Sequence, residues 1–176
     1  MIVENENSTK EKNISSDTLK GIAIDADSIH SSIAEIVIRF AKKHAITLTF
    51  VSDRELKSLQ SLKDKYSVKA KFVKVQQGQD AADNWIVENL DNFFLVITHD
   101  IPLASRCLEK SVNALNEHGV LYDENSIKTA LASRSIMTAF RENGIYEKKG
   151  QKHPISQKDV KNFSDALNSF LQKHYA

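Results

Sequence analysis

An uninterrupted apolar run at residues 93–98, FFLVIT, most restricts what this chain can fold into. The run does not alternate with polar residues, as expected for a strand that is covered on both faces. His99 and Asp100 follow it directly, and Pro102 stands where a new helix can begin. In open α/β sheets, ligands bind beyond the carboxyl ends of the strands. Asp100 is therefore predicted to lie where a functional site forms.

The segments on either side of this run predict the remaining elements. Strand-like apolar segments alternate with segments whose apolar residues recur at helical spacing, which is typical of a parallel sheet with helices on both faces. We therefore predict a three-layer α/β fold with a mainly parallel sheet and a C-terminal helical extension. Strands are predicted at 21–24, 46–51, 70–75, 93–98 and 112–115, with one more at 119–122, and helices at 29–44, 54–65, from 78, at 102–110, at 125–142 and from 156.

Single residues predict how two of these helices begin and end. Ser28 is the predicted N-cap of the helix at 29–44. The segment at 125–142 forms either one helix or two that join near Ser133. Gly144 is suited to the position just after its end, where a left-handed backbone is common.

The last helix carries an apolar stripe on one face. Ser156 and Asp159 have the spacing of a capping box, with Asp in place of Glu or Gln, and predict its start. The stripe fits two interpretations, a contribution to the core or a contact with another copy of the chain. Its members are Val160, Phe163, Leu167, Phe170 and Leu171.

Length and composition fit one domain. The chain has 176 residues, of which 41% are hydrophobic, and we predict a flexible polar tail at 1–20, a single domain at 21–176 and a basic loop at 147–154. The net charge of +1 excludes a strong basic field over the whole molecule. The single cysteine, Cys107, fits core packing and a reducing cytoplasm. The sequence contains neither a membrane-spanning stretch nor the apolar core of a signal peptide, so we expect a cytoplasmic protein without a membrane partner.

Aspartates follow or precede several predicted elements at one rim of the sheet. Right-handed crossovers bring the ends of the first and fourth strands to the same rim. Each aspartate alone has another explanation, since Asp is a preferred N-cap. Together, converging carboxylates either raise one another's pKa or hold a cation. Oxygen ligands suit Mg²⁺ or Mn²⁺, whereas no cysteine or histidine motif indicates zinc. The candidate metal ligands are Asp25, Asp27, Asp80, Asp83 and Asp100.

Other polar residues are candidates for supporting roles. Asn84, Thr98 and His99 are placed to orient water or a ligand around the aspartates. His99 is either a general base or a structural histidine. Arg134 and Arg141 lie seven residues apart on a predicted helix, hence on one face. They either bind phosphate or pair with nearby acids and solvent.

The motifs of this chain resemble those of the YaiI/YqxD family of small bacterial proteins. The similarity begins near Gly21 and extends to the C-terminus. It is carried by the DAD motif at 25–27, GQDAAD at 78–83, LVIT at 95–98, DIPLA at 100–104, the segments at 119–122 and 125–127, Arg134, Arg141 and Gly144. Three segments depart from the family pattern: SI at 28–29 replaces Cys-Pro, EHG at 117–119 lacks the arginine of a Pro-Arg-Gly segment, and the loop at 148–154 replaces Gly-Gly-Pro.

This resemblance implies both a fold and an activity. The family is similar to PIN-like domains, α/β folds in which aspartates at strand ends bind a divalent metal for RNA cleavage. The implied metal and catalytic residues are Asp25, Asp80, Asp83 and Asp100, with Asp27 as a further ligand. We therefore expect a Mg²⁺- or Mn²⁺-dependent nuclease that hydrolyses RNA or another phosphodiester. Two alternatives stay open: a non-catalytic module that binds a metal or a nucleotide, and a homo-oligomeric interaction protein that uses the last helix.

Overall fold

The structure is a computed structural model, and it describes residues 20–145 and 154–175. The predicted tail at 1–20 and the predicted basic loop at 147–154 lie outside the described residues, except for Lys20 and Pro154.

Five parallel strands form the sheet within the described residues: β1 Gly21–Asp25, β2 Leu48–Ser52, β3 Ala70–Lys74, β4 Phe93–Ile97 and β5 Asn113–Leu115. Their order in the sheet is β3-β2-β1-β4-β5. The central strand β1 is buried along its whole length, and β4 beside it is almost as well covered, which explains their lack of alternation. The strand predicted at 119–122 is wrong, since this segment makes only one antiparallel bridge, between Leu115 and Leu121.

The described residues form the helices α1 Ser31–His44, α2 Lys57–Tyr66, α3 Ala81–Glu88, α4 Ile101–Glu109, α5 Glu124–Glu142 and α6 Gln157–Tyr175. Helices cover both faces of the sheet, so the predicted three-layer α/β architecture is confirmed. Alternate residues of β1 enter two separate clusters: Ile22 and Ile24 pack with α1 and α6, and Ala23 packs with α3 and α4. A 3₁₀ turn at Leu90–Asn92 leads into β4.

Several predicted helix boundaries change in the structure. Ser28 is not an N-cap, because α1 begins three residues later and the Ser28 hydroxyl donates to Asp25 O and accepts from the His99 backbone N–H. The segment at 125–142 belongs to one continuous helix, without a break at Ser133. The helix predicted from Gly78 begins at Ala81 instead, after Asp80 in a left-handed conformation with φ of 58°.

The apolar stripe of α6 belongs to the core. Phe163 and Leu167 are fully buried, and Phe170 stacks on Phe94 at 6.1 Å between ring centroids. The capping box is confirmed: the Ser156 hydroxyl accepts from the Asp159 N–H, and the Asp159 carboxylate accepts from the Ser156 N–H. The α6 face is therefore not available to another copy of the chain. Large apolar side chains of α5 are exposed instead, including Ile136, Met137 and Phe140.

Cys107 is fully buried in α4, and burial raises the pKa of its thiol to about 12. Its protonated thiol packs as a small apolar group, as predicted.

No helix in the described part of the chain has the length and apolar character needed to cross a bilayer.

Candidate functional site

The carboxyl ends of β1, β2 and β4 and the start of α3 surround one pocket, with a volume of about 240 Å³. We call it the acidic pocket. It contains all five aspartates predicted as metal ligands and one that was not predicted. Its acidic residues are Asp25, Asp27, Asp53, Asp80, Asp83 and Asp100.

Asp25 is the buried member of the pocket, with 4% of its surface exposed. The Thr98 hydroxyl donates to Asp25 Oδ2 at 2.8 Å. Burial raises the pKa of Asp25, and this effect outweighs the hydrogen bonds from Ser28 and Thr98, which lower it. The carboxylates of Asp27 and Asp100 add to the increase. The ionised form of Asp25 therefore lacks compensation from a positive charge.

The ionised form of Asp83, in the first turn of α3, is also disfavoured. Its pKa is raised to about 6, first by burial and then by nearby carboxylates, those of Asp100, Asp25 and Asp80. The Arg106 guanidinium lowers it, but by less. These three carboxylates come from separate parts of the chain, so the pocket concentrates negative charge around Asp83.

Asp100 both caps a helix and lines the acidic pocket. Its Oδ1 accepts from the Leu103 N–H at 2.8 Å, so it is the N-cap of α4. It also lines the acidic pocket, where Arg134 Nη1 lies 3.8 Å from its Oδ2. Asp80, by contrast, makes no capping hydrogen bond with its side chain, so the interpretation of Asp80 as a side-chain cap is wrong.

Asp27 is held by the end of β2. Its Oδ1 accepts from the Ser52 hydroxyl at 2.7 Å and lies 3.0 Å from Arg54 Nε. Its Oδ2 accepts from the Asp53 N–H at 2.9 Å. Both oxygens thus have protein partners, and this suits Asp27 to positioning the neighbouring strand end.

Asp53 was missed in the sequence although the argument that identified Asp25 applies to it. It directly follows Ser52, the last residue of the largely apolar strand β2. Its neighbours Arg54 and Glu55 made the segment look like the start of a charged surface helix. The structure places Asp53 in the lining of the acidic pocket.

The three predicted supporting residues, Asn84, Thr98 and His99, have different partners. Thr98 is buried between Asp25 and Asp100, donating to the first carboxylate and accepting from the backbone N–H of the second. The Asn84 side chain instead accepts from Arg106 Nη1 at 3.1 Å. The side chain of His99 contacts Glu117, with 3.2 Å between Nδ1 and Oε1.

The two predicted phosphate-binding arginines also differ. Arg134 reaches Asp100 from α5, although half of its side chain stays exposed. Arg141 lies two turns further along the same helix and is exposed. Within residues 20–145 and 154–175, no carboxylate forms an ion pair with Arg141. The structure therefore brings only Arg134 to the acidic pocket.

A second group of ionisable side chains lies beside the pocket and was not predicted. Glu117 is 3% exposed, and three imidazoles surround its carboxylate. We call this group the histidine cluster: His30, His99, Glu117 and His118. His30 and Glu117 lie 87 positions apart in the sequence. No local motif connects the members, so their spacing in the sequence did not predict the histidine cluster.

Comparison with known proteins identifies relatives over most of the chain. The model of the uncharacterised YaiI/YqxD family matches residues 23–173. UPF0178 proteins of Sulfurimonas denitrificans and Shewanella amazonensis are each 37% identical to it, over 86% of this chain and 95% and 97% of their own lengths. A UPF0178 protein of Syntrophotalea carbinolica is 36% identical to it, over 87% of this chain and 98% of the relative's own length. No solved structure gives a significant match. Because the family model and these relatives cover the folded chain from β1 to α6, the chain belongs to the YaiI/YqxD family.

Proposed function

We propose that this protein is a divalent-metal-dependent nuclease that hydrolyses RNA or another phosphodiester. The observation that carries the proposal is the convergence of carboxylates from four separate chain segments in one pocket, around the buried Asp25. Such clusters are what metal-assisted phosphodiester hydrolysis requires.

The donor set of the pocket fits Mg²⁺ or Mn²⁺. Its ionisable side chains offer oxygen only, the preferred ligand of these hard cations. The pKa values of Asp25 and Asp83 are raised, so their ionised forms are disfavoured without a further positive charge. Arg54 pairs with Asp27 and Arg134 approaches Asp100, but both arginines are largely exposed. A bound cation would supply the compensation that the described residues supply only in part.

Each residue of the pocket then has a defined task. Asp25, Asp80, Asp83 and Asp100 would hold the ion. When bound, the ion neutralises charge on a phosphate and lowers the pKa of a coordinated water. Thr98 fixes the orientation of the Asp25 carboxylate through its 2.8 Å hydrogen bond.

One side chain beside the pocket would act on the substrate. Arg134 lies at the edge of the pocket, where a guanidinium binds a phosphate oxygen well.

Turnover of RNA tests the proposal. Purified protein should cleave a fluorescent RNA only with Mn²⁺ or Mg²⁺, and Asp25→Asn and Asp100→Asn should each reduce the rate by about a hundredfold or more. Asn keeps the N-cap at position 100, so that variant removes charge without removing the helix start. Asp165→Asn on exposed α6 surface is the matched control, with wild-type rate expected.

Binding of Mn²⁺ without cleavage of RNA or of other phosphodiesters would favour the non-catalytic binding module instead. Equal rates in wild type and both variants would overturn the roles assigned here. The homo-oligomer hypothesis loses the surface on which it depended, because the apolar face of α6 is buried. We retain the cytoplasm as the proposed location because the one cysteine forms no structural disulfide.

A further inference from the structure

The histidine cluster centres on a buried carboxylate that has no lysine or arginine partner among the described residues. Glu117 follows β5 and is almost fully buried. Its Oε2 accepts from the His30 backbone N–H at 3.1 Å and from His30 Nδ1 at 2.9 Å. Its Oε1 lies 3.2 Å from His99 Nδ1 and 3.9 Å from His118 Nε2. One carboxylate oxygen is thus satisfied by the protein, and the other faces two imidazoles.

A second carboxylate orients one of those imidazoles from behind. Asp159 Oδ1 lies 2.9 Å from His118 Nδ1, so this nitrogen carries the proton and donates to Asp159. The other nitrogen, Nε2, is then left with its lone pair on the side of Glu117. Metal-binding histidines are usually held in this way, with the distal ring nitrogen donating to a carboxylate.

The geometry of the cluster is close to that of a metal site. His99, Glu117 and His118 each offer one ligand atom within 4.8 Å of the other two. Tetrahedral Zn²⁺ with bonds of about 2.0 Å places its ligand atoms about 3.3 Å apart. The separation of 3.2 Å between His99 Nδ1 and Glu117 Oε1 already meets this value. His118 Nε2 lies 3.9 Å from the same oxygen, so a small shift of the two partly exposed imidazoles would complete the ligand set.

We infer that His99, Glu117 and His118 form a binding site for a divalent transition metal such as Zn²⁺, oriented by His30 and Asp159 and distinct from the acidic pocket. Two imidazoles and one carboxylate favour borderline cations over Mg²⁺, whereas the all-oxygen acidic pocket has the opposite preference. Three protein ligands leave a position of the metal open to water or substrate. The inference does not depend on the proposed nuclease activity.

The cluster also places the metal where it would connect separate loops. His99 lies between β4 and α4, and Glu117 and His118 lie between β5 and α5. His30 precedes α1, and its backbone N–H is already bound to Glu117. The metal would therefore join loops beside the acidic pocket, and its binding should raise the unfolding temperature.

Equilibrium dialysis of the full chain against Zn²⁺, with Mg²⁺ in excess to occupy the acidic pocket, tests this site. Wild-type protein should bind one Zn²⁺ that Mg²⁺ does not displace. Co²⁺ should bind at the same site, give visible absorption bands, and be displaced by Zn²⁺. The double variant His99→Gln/His118→Gln should lose at least about tenfold in Zn²⁺ affinity, the range seen when metal-site residues are altered.

Three further variants separate this site from the rest of the molecule. Asp159→Asn should weaken Zn²⁺ binding, because an amide has one acceptor oxygen whereas Asp159 uses both of its oxygens, Oδ1 for His118 and Oδ2 for Ser156. The residue-159 backbone N–H still donates to the Ser156 hydroxyl, so half of the capping box of α6 is kept. His174→Gln, which alters a histidine packed on Phe170, should bind like wild type. Asp83→Asn should keep Zn²⁺ affinity even where RNA cleavage is lost.

Two results would overturn the inference. One is the absence of stoichiometric Zn²⁺ in the folded wild-type protein. The other is less than a tenfold change in the double variant, provided that circular dichroism shows wild-type helix content. Either result would mean that the imidazoles serve only to compensate the buried charge of Glu117. Loss of RNA cleavage in the acidic-pocket variants leaves this test unaffected.

Discussion

The Thr98 hydroxyl donates a 2.8 Å hydrogen bond to Asp25 Oδ2, across the neighbouring ends of β4 and β1. The Thr98 hydroxyl oxygen also accepts a hydrogen bond from the Asp100 backbone N–H at 2.9 Å. One buried side chain thus links two carboxylate-bearing residues whose positions along the sequence are far apart. Through these two hydrogen bonds Thr98 holds Asp25 and Asp100 next to each other in the lining of the acidic pocket.

Removal of the Thr98 hydroxyl should therefore weaken both stability and metal binding. We expect Thr98→Val to lower the free energy of unfolding by about 2 kcal/mol, since it leaves a buried carboxylate oxygen and an N–H unpaired. Thr98→Ser keeps the hydroxyl and should cost about 1 kcal/mol or less for the lost methyl group. Urea unfolding with and without Mn²⁺ measures both effects. Equal losses in the two variants would mean that packing, not hydrogen bonding, determines the contribution of Thr98.

The pKa of Asp83 makes stability depend on pH in a defined direction. Its folded-state pKa of about 6 lies above the ordinary value of 3.8, so the folded protein binds this proton more tightly than the unfolded chain. The resulting stabilisation is present at low pH and is lost as pH rises from about 4 through about 6. At about pH 8 the ionised Asp83 is a net cost, of roughly 1 to 2 kcal/mol after solvent screening is allowed for.

Asp83→Asn should consequently stabilise the metal-free protein at about pH 8 and have little effect at about pH 3, where the wild-type carboxyl is mostly protonated in both the folded and the unfolded state. Thermal unfolding in the presence of a chelator measures this difference. Asp91→Asn, at an exposed position before β4, is the control for the loss of one carboxylate outside the acidic pocket. A lower unfolding temperature of Asp83→Asn at about pH 8 would contradict the charge crowding described for the pocket.

The sequence predicted the strand ends well because local chemistry determines them. Apolar runs without alternation identified β1 and β4, and the aspartates after them lie at one rim because parallel strands end on the same side. The start of α3 was misplaced because the left-handed backbone of Asp80 depends on the tertiary fold. Whether the aspartates bind metal remains a prediction.

The histidine cluster lay beyond sequence reasoning for a different reason. Its members come from three loops, and only the order of strands in the sheet decides that β5 lies beside β4 and brings Glu117 to His99. Glu117 also looked like an ordinary charged loop residue, because burial is a property of the assembled fold. The partners of Asp27 were not predicted for the same reason, since Arg54 and Ser52 contact it only after β2 pairs with β1.

Arg134 and Arg141 offer a matched test of substrate binding on one helix. The contact between Arg134 and Asp100 is exposed, so Arg134→Gln should change the free energy of unfolding by less than about 1 kcal/mol. If the proposed function holds, the same variant should weaken RNA binding about tenfold through loss of one charged phosphate contact. Arg141→Gln, two turns away from the pocket contact, should retain most of the affinity. Fluorescence anisotropy with a labelled RNA distinguishes the two variants, and equal losses would indicate a general charge effect.

Gly119 fixes the loop that carries Glu117 and His118 against α6. Its φ is +85°, and a Cβ atom there would lie 2.5 Å from the backbone carbonyl of Asn162. Gly144 also has a positive φ, of +68°, but none of the described residues comes within 4 Å of the corresponding position. The two glycines therefore share a backbone requirement and differ in the space around them.

Gly144→Ala should cost about 1 kcal/mol, the usual penalty for a side chain in the left-handed region. Gly119→Ala adds a collision with backbone atoms, which cannot turn aside, so the turn or α6 must move. We expect a loss of more than about 2 kcal/mol and, because the movement displaces the neighbouring His118 from Asp159, weaker Zn²⁺ binding. Urea unfolding and Zn²⁺ dialysis of both variants measure these effects. Equal destabilisation by the two substitutions would show that the loop after β5 is not tightly held by α6.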